Sequence, residues 1–465
     1  MPRFVIIGAG PTGLGAAWRL DRLGFHDWLL LEKSPTAGGL AGSVTDEAGF
    51  TWDLGGHVQF SHYRLFDELM DDLLPDGWIH HEREAWVWMR DRFIPYPFQN
   101  NIRHLPHEEM VECVCGIVQA LKNRSDARPK HFAEQFERSM GPGIARVFLR
   151  PYNFKVWAYP PEELNTKWLG ERVAIPDLER VLRNIFAGKD DVSWGPNNTF
   201  RFPKFGGTGS IWRECARRLP AERMRFGATV EHVDTAARTL RLSSGETIPY
   251  TYLINSLPLD LFIRHSDLAG PLGPHADKLV HSSTHIVGIG LNGTAPEHLK
   301  TKCWMYFPEE NCPFYRVTVF SNYSPNNVPD ATRYWSLMAE VSESPVKPVD
   351  EERVVEEVIQ GALNTRLIAS RDDICDLFRV RLEHGYPTPS LRRDEALDVL
   401  LPALAERGVY SRGRFGAWKY EVSNQDHSLM QGVEVVDHLV LGTDEITLWH
   451  PEVANGPKKK GPVEP

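Results

Sequence analysis

Near its N-terminus the chain reads RFVIIGAGPTGLGAAWRL, an apolar, β-rich run that stops abruptly at glycine. Residues 3–7 are expected to form a buried parallel strand, since no polar alternation interrupts them. Gly8, Gly10 and Gly13 follow in the spacing G-x-G-x-x-G. The first glycine makes a tight turn, the second lets the backbone approach a pyrophosphate, and the third lets the next helix pack on the strand. Ala16, Ala17 and Leu20 give that helix a close-packing face, and its N-terminal amides suit a diphosphate. A second apolar strand at 28–31 delivers Glu32, about 20 residues beyond the glycines, where an acidic group takes ribose hydroxyls.

Directly after Glu32 comes a second glycine-rich loop, SPTAGGLAGS at 34–43, in which Gly38 and Gly39 again bring backbone close to a ligand. This arrangement resembles the FAD-binding flavoproteins that include the amine oxidases, rather than nicotinamide dehydrogenases, and makes FAD the expected cofactor. In FTWDLGGHVQFSHY, Gly55 and Gly56 precede His57 and suggest a third close approach, beside the flavin ring.

At 465 residues and 42% apolar content the chain can bury sizeable cores, and its formal charge of -10 argues against nucleic acid or an anionic membrane as partner. No apolar run approaches membrane-spanning length and the chain enters its first strand at once, so a cytoplasmic location is expected. Six cysteines are too few for a disulfide scaffold and are read as buried free thiols. The histidines form no metal-binding motif, so no metal is expected.

The chain divides into an α/β, Rossmann-like FAD-binding domain built from discontinuous segments (1–104, 200–264 and 396–452), a mainly helical insertion (105–199), a β-sheet substrate domain (265–395) and a disordered tail (453–465). In PYPFQNN, Tyr96 and Phe98 can stack on a flat base while Gln99 reads its edge; the alternative is a proline-stiffened loop that packs its aromatics into the core. RPYNFKVW and WLGERV within the helical insertion suit a polar ligand wall, or else a surface patch. Val230 is expected near the adenine. Trp304, Tyr306, Arg316 and Tyr323 fall on the expected substrate-facing sheet. Residues 424–428 cap a helix whose N-terminus would face the flavin pyrimidine edge.

Taken together, GAGPTGLGAA, WDLGGHVQFSHY, PYPFQNNI, RPYNFKVWA, WLGERV, FRFPKFGGTG, CWMYFPEENCPFYR, HGYPTP, SRGRFGAWKYE and NQDHS resemble the UDP-galactopyranose mutases nearly end to end, in the longer form familiar from eukaryotes. Two features depart from that pattern: the connection from Tyr323 to Tyr334 is shorter, and Ser423 stands where glycine is usual. The resemblance implies a redox-neutral isomerisation of UDP-galactopyranose and UDP-galactofuranose that needs reduced FAD, whose N5 attacks the anomeric carbon as UDP leaves. It implies Arg172 and Arg316 at the diphosphate, with Tyr306, Tyr323, Tyr386 and Tyr420 as hydrogen-bond donors. Tyr96, Phe98 and Gln99 would hold uridine, Asn153 and Trp157 its ribose, and Asn197, Arg172 and Trp304 the sugar. His57 would neighbour flavin N5, and Arg414, Asn424, Gln425 and Ser428 would hold the flavin from the C-terminal side. NADPH is a candidate reductant and a homo-oligomer a candidate assembly. The competing readings are an amine-oxidase-like oxidoreductase and a mutase for another nucleotide sugar.

Overall fold

The computed structural model describes residues 3–170, 173–192 and 198–457. Arg172, Asn197 and the lysine run at 458–460 therefore lie outside the described residues.

Five strands form an all-parallel sheet in the order Val409–Ser411, Tyr252–Asn255, Phe4–Ile7, Trp28–Glu32, Met224–Phe226. Three separated stretches of chain thus build one sheet. Its central strands are apolar up to their last residues, Glu32 and Asn255, because both faces are covered. Phe4, Ile6 and Leu30 pack with Leu14, Trp212 and Leu429 on one side. Val5, Ile7 and Leu31 pack with Leu259, Leu397 and Leu400 on the other.

The second body is a seven-stranded sheet in the order Ile374–Pro387, His281–Asn292, Tyr334–Glu343, Arg316–Val319, Trp304–Tyr306, Ala85–Met89, Arg92–Pro95. All its pairs are antiparallel except Trp304–Tyr306 with Ala85–Met89. The two strands at 85–95, expected within the first cofactor segment, belong here instead. The reason is two-sided burial: Val87, Met89 and Ile94 face the helical layer, while Trp88 faces Val317 and Leu337.

That helical layer comprises His107–Lys122, Phe132–Ile144, Arg150–Trp157 and Leu178–Ala187. Its first two helices meet backbone to backbone, since a Cβ on Gly141 would lie 2.1 Å from the Gly116 carbonyl. Residues 453–457, expected within a disordered tail, are ordered. Pro451–Ala454 forms a helical turn with Ala454 buried, and the Asn455 amide donates to the Glu421 carbonyl at 3.0 Å. The cysteine reading also needs correction, because Cys115 and Cys375 are exposed while the other four are buried. No helix among the described residues is long and apolar enough to cross a membrane.

Candidate active site

At the end of the strand Phe4–Ile7, Gly8 takes φ +101°, and a side chain there would meet Ser256 Oγ at 2.2 Å. A Cβ on Gly13 would lie 1.9 Å from the Gly8 carbonyl oxygen, so helix and loop are in backbone contact. Gly38 (φ +129°) donates its N–H to the Ala9 carbonyl at 2.8 Å, and Gly39 comes within van der Waals reach of Gly10. The two glycine loops therefore sit back to back. Gly10 caps the helix Pro11–Arg22 with no side-chain hydrogen bond, which leaves its first-turn amides for an anion.

Glu32 is buried at the mouth of this cradle and accepts from Ala9 N at 2.7 Å and Ser34 N at 2.8 Å. Its own carbonyl accepts from Ala228, two residues before Val230, which is half-buried against the same apolar cluster as Leu40. These features fit a dinucleotide: a cradle that any Cβ would fill, an open helix N-terminus and an acid between the loops.

From the opposite direction, the helix Gln425–Leu441 packs against Pro11–Arg22 so tightly that a Cβ on Gly432 would lie 2.0 Å from the Thr12 carbonyl. Its Asn424 N-cap makes no side-chain cap bond, and Ser428 donates its N–H to the Asn424 carbonyl at 2.8 Å. Gln425 Oε1 accepts from Trp212 Nε1 at 2.8 Å. Asp426, which the sequence reading passed over, is wholly buried and accepts from both His62 N (3.0 Å) and His62 Nδ1 (2.9 Å), tying this helix to the 55–63 segment. Burial alone would raise its pKa, but His427 and His62 hold it at about 2.

Because that pKa is depressed, the Asp426 contribution to stability is complete above the ordinary carboxylate value of about 3.9 and is lost as pH falls toward 2. Asp426→Ala is expected to cost about 3 kcal/mol in urea unfolding at neutral pH. Its deficit relative to the parent should shrink across the acid window.

The centre of the site lies where the 55–57 turn meets the large sheet. Gly55 has φ +140°, and a Cβ on Gly56 would strike Glu340 Oε1 at 2.9 Å and Arg316 Cζ at 3.0 Å. His57 Nδ1 stands 3.4 Å from Thr208 Oγ1 and 3.8 Å from the buried Asp53 carboxylate. Arg316, on its strand beside Tyr334–Glu343, grips Glu340 through Nε at 2.6 Å and Nη2 at 2.8 Å. Glu340 also accepts from Tyr315 Oη at 2.7 Å and Gly56 N at 3.2 Å. Burial would raise the Glu340 pKa, yet the guanidinium lowers it below the usual carboxylate range. Arg316 Nη1 makes no protein hydrogen bond among the described residues, so one edge of the cation remains for a ligand.

Tyrosines surround it. Tyr306 lies 5.3 Å, ring centroid to centroid, from both Tyr96 and Tyr152. Tyr386 and Tyr420 lie 5.9 Å apart with the Arg414 guanidinium over both rings. Arg414 also donates to Ser423 Oγ at 3.0 Å and the Gly385 carbonyl at 3.2 Å, so Ser423 fixes it beside these tyrosines. Trp304 Nε1 donates to Tyr306 Oη at 2.6 Å.

Several expected contacts are arranged differently. Phe98 is fully covered and packs on Phe148 at 4.6 Å, which leaves it no face for a base, whereas Tyr96 is half-buried with the Arg83 guanidinium 5.6 Å from its ring. Trp157 is buried with its ring edge-to-face against Trp168, Tyr386 and Tyr420, where it supports the wall. Tyr323 is enclosed by Phe200, Phe202 and Phe320. Asn153 donates to the Leu149 carbonyl of its own helix at 2.7 Å. Gln99 donates to the Ala174 carbonyl at 2.5 Å, while its Oε1 is a buried acceptor with no partner among the described residues. Tyr152, half-buried and stacked on Phe148, was missed although it lies in RPYNFKVW; its i, i+4 spacing from Phe148 carried the signal.

A model of the flavin containing amine oxidoreductase family matches residues 11–289. Among solved structures, a reduced UDP-galactopyranose mutase is 49% identical with TM-score 0.96, covering 99% of this chain and 98% of that one. A putative protoporphyrinogen oxidase from Exiguobacterium sp. 255-15 is 16% identical with TM-score 0.69, covering 95% of this chain and 99% of that one. A putrescine oxidase bound to putrescine is 14% identical with TM-score 0.63, again covering 95% and 99%. The last two share the fold alone.

Proposed function

We propose, from the premise that the chain belongs to the UDP-galactopyranose mutases within the flavin-containing amine oxidoreductases, that it is an isomerase interconverting UDP-galactopyranose and UDP-galactofuranose. The observation that carries this reading is the half-free Arg316 guanidinium, set among Tyr152, Tyr306 and Tyr386 beside the 55–57 turn. A glycosyl bond that breaks to a diphosphate needs fixed donors where negative charge develops, and this cluster supplies a cation and phenolic hydroxyls.

The glycine loops, Glu32 and the Gln425–Leu441 N-terminus would hold FAD; bound there and reduced, it would supply the nucleophile for the anomeric carbon. Glu340 orients Arg316 and fixes the Gly56 amide in one geometry, which couples diphosphate binding to the flavin-side turn. Tyr96 would take one face of the uracil, and the unpartnered Gln99 Oε1 suits its imide N–H. His57 would neighbour the flavin, with Arg172 and Asn197 completing the diphosphate and sugar contacts. NADPH remains the proposed reductant, and the six free cysteines suit a reducing, cytoplasmic setting.

Ligand protection tests the assignment, because a ligand that binds only the native state raises apparent stability by RT ln(1 + L/Kd), where L is the free ligand concentration. Reduced, FAD-loaded protein should show a higher unfolding temperature with UDP or UDP-galactose and no change with putrescine. Protection by the diamine and none by UDP would overturn the reading in favour of amine oxidation.

A further inference from the structure

Outside this site, Lys155 is a buried cation with no carboxylate partner within salt-bridge distance among the described residues. Lys155 lies on the helix Arg150–Trp157 and is 7% exposed. Its Nζ donates to the carbonyls of Glu309 and Cys312 at 2.8 and 2.9 Å, and lies 3.5 Å from Cys312 Sγ. Cys312 is 5% exposed and sits in the turn between the strands Trp304–Tyr306 and Arg316–Val319. Its position is fixed from behind, since a Cβ on Gly361 would meet Cys312 Cβ at 2.8 Å. Amine and sulfur are therefore held facing one another, each with little room to turn away.

We propose that Lys155 and Cys312 form an oxygen-dependent covalent clasp in which one oxygen atom bridges Nζ and Sγ. The oxidant is dioxygen, which any flavoenzyme working in air encounters. Lys155 first releases a proton from its ammonium form. The thiol then loses its S–H and the amine one N–H, S–O and O–N bonds form, and the O–O bond breaks, with the second oxygen leaving as water. Sulfur and nitrogen each give up two electrons, which together account for the four that dioxygen takes. Burial favours the neutral amine by lowering the Lys155 pKa. A single bridging atom also closes a 3.5 Å gap with less movement than a direct S–N bond would need.

The clasp would join the helix that carries Tyr152 to the turn that leads from Tyr306 into Arg316, locking two sides of the substrate wall together. Mass spectrometry of the holoenzyme tests it. After incubation in air-saturated buffer and digestion without reductant, a linked pair of peptides containing Lys155 and Cys312 is expected. Its mass should exceed the sum of the two by one oxygen less two hydrogens, and dithiothreitol should return both parent peptides. Lys155→Arg and Cys312→Ser should each abolish the pair. Recovery of Cys312 only as an alkylatable thiol, or only as sulfinic or sulfonic acid, would overturn the proposal, as would a linked pair lacking the added oxygen or one that survives Lys155→Arg.

Discussion

Arg316→Ala is expected to lower kcat by roughly two orders of magnitude or more, the usual loss when one preorganised donor to developing charge is removed from a water-excluded site. The effect should fall on kcat as well as KM, because charge on the departing diphosphate grows between ground state and transition state. Loss of the guanidinium also strands Glu340, a carboxylate buried to 1% exposure, and breaking a buried pair from one side costs about 3 kcal/mol of folding stability. The double variant Arg316→Ala/Glu340→Gln separates the two effects. It should recover much of the stability lost in the single variant while remaining as inactive. Arg316→Lys keeps a charge but not the two-pronged grip on Glu340, so intermediate activity is expected. Full turnover in a folded Arg316→Ala enzyme would remove Arg316 from the chemistry.

Gly13→Ala is expected to yield protein almost free of flavin. The new methyl carbon would stand 1.9 Å from the Gly8 carbonyl oxygen, a backbone atom that cannot swing aside. Helix and strand must separate to make room, which takes the first-turn amides away from the diphosphate they would hold. Overpacking of this kind costs about 3 kcal/mol. Flavin absorbance per protein and the urea midpoint should both fall. Gly270→Ala supplies the control, because nothing lies within 4 Å of a Cβ there and its backbone is helical. It should keep its flavin and be no less stable than the parent.

The cradle was legible in the sequence because it is local. Gly8, Gly10, Gly13 and Glu32 lie in one strand–helix–strand unit, where spacing along the chain fixes spacing in space. Arg316 was legible as a residue type, but its partner was not. Glu340 lies 24 residues away on the neighbouring strand, and only the register Arg316↔Glu340 brings them together. Phe98 reads as a base-stacking aromatic because burial cannot be seen in a short aromatic loop, whereas Phe148, which covers it, comes from the helical insertion. The strands at 85–95 were legible as a hairpin, but their sheet was not, for a related reason. A β-hairpin records its own pairing in sequence but not the sheet it joins, and here the partner strand begins at Trp304. Asp426 was hidden by its neighbours, since a run of cap-type residues reads as a helix start whichever of them turns inward to His62.

The central claim is that reduced flavin and a diphosphate-binding guanidinium together isomerise a nucleotide sugar with no net redox change. The most direct measurement incubates the purified holoenzyme anaerobically with UDP-galactofuranose, with and without dithionite, and follows sugar nucleotides by chromatography and the flavin by its absorbance. UDP-galactopyranose should accumulate only in the reduced sample, over many turnovers, with the flavin still reduced at the end. Conversion by the oxidised protein alone, or flavin reoxidation in step with product, would contradict it.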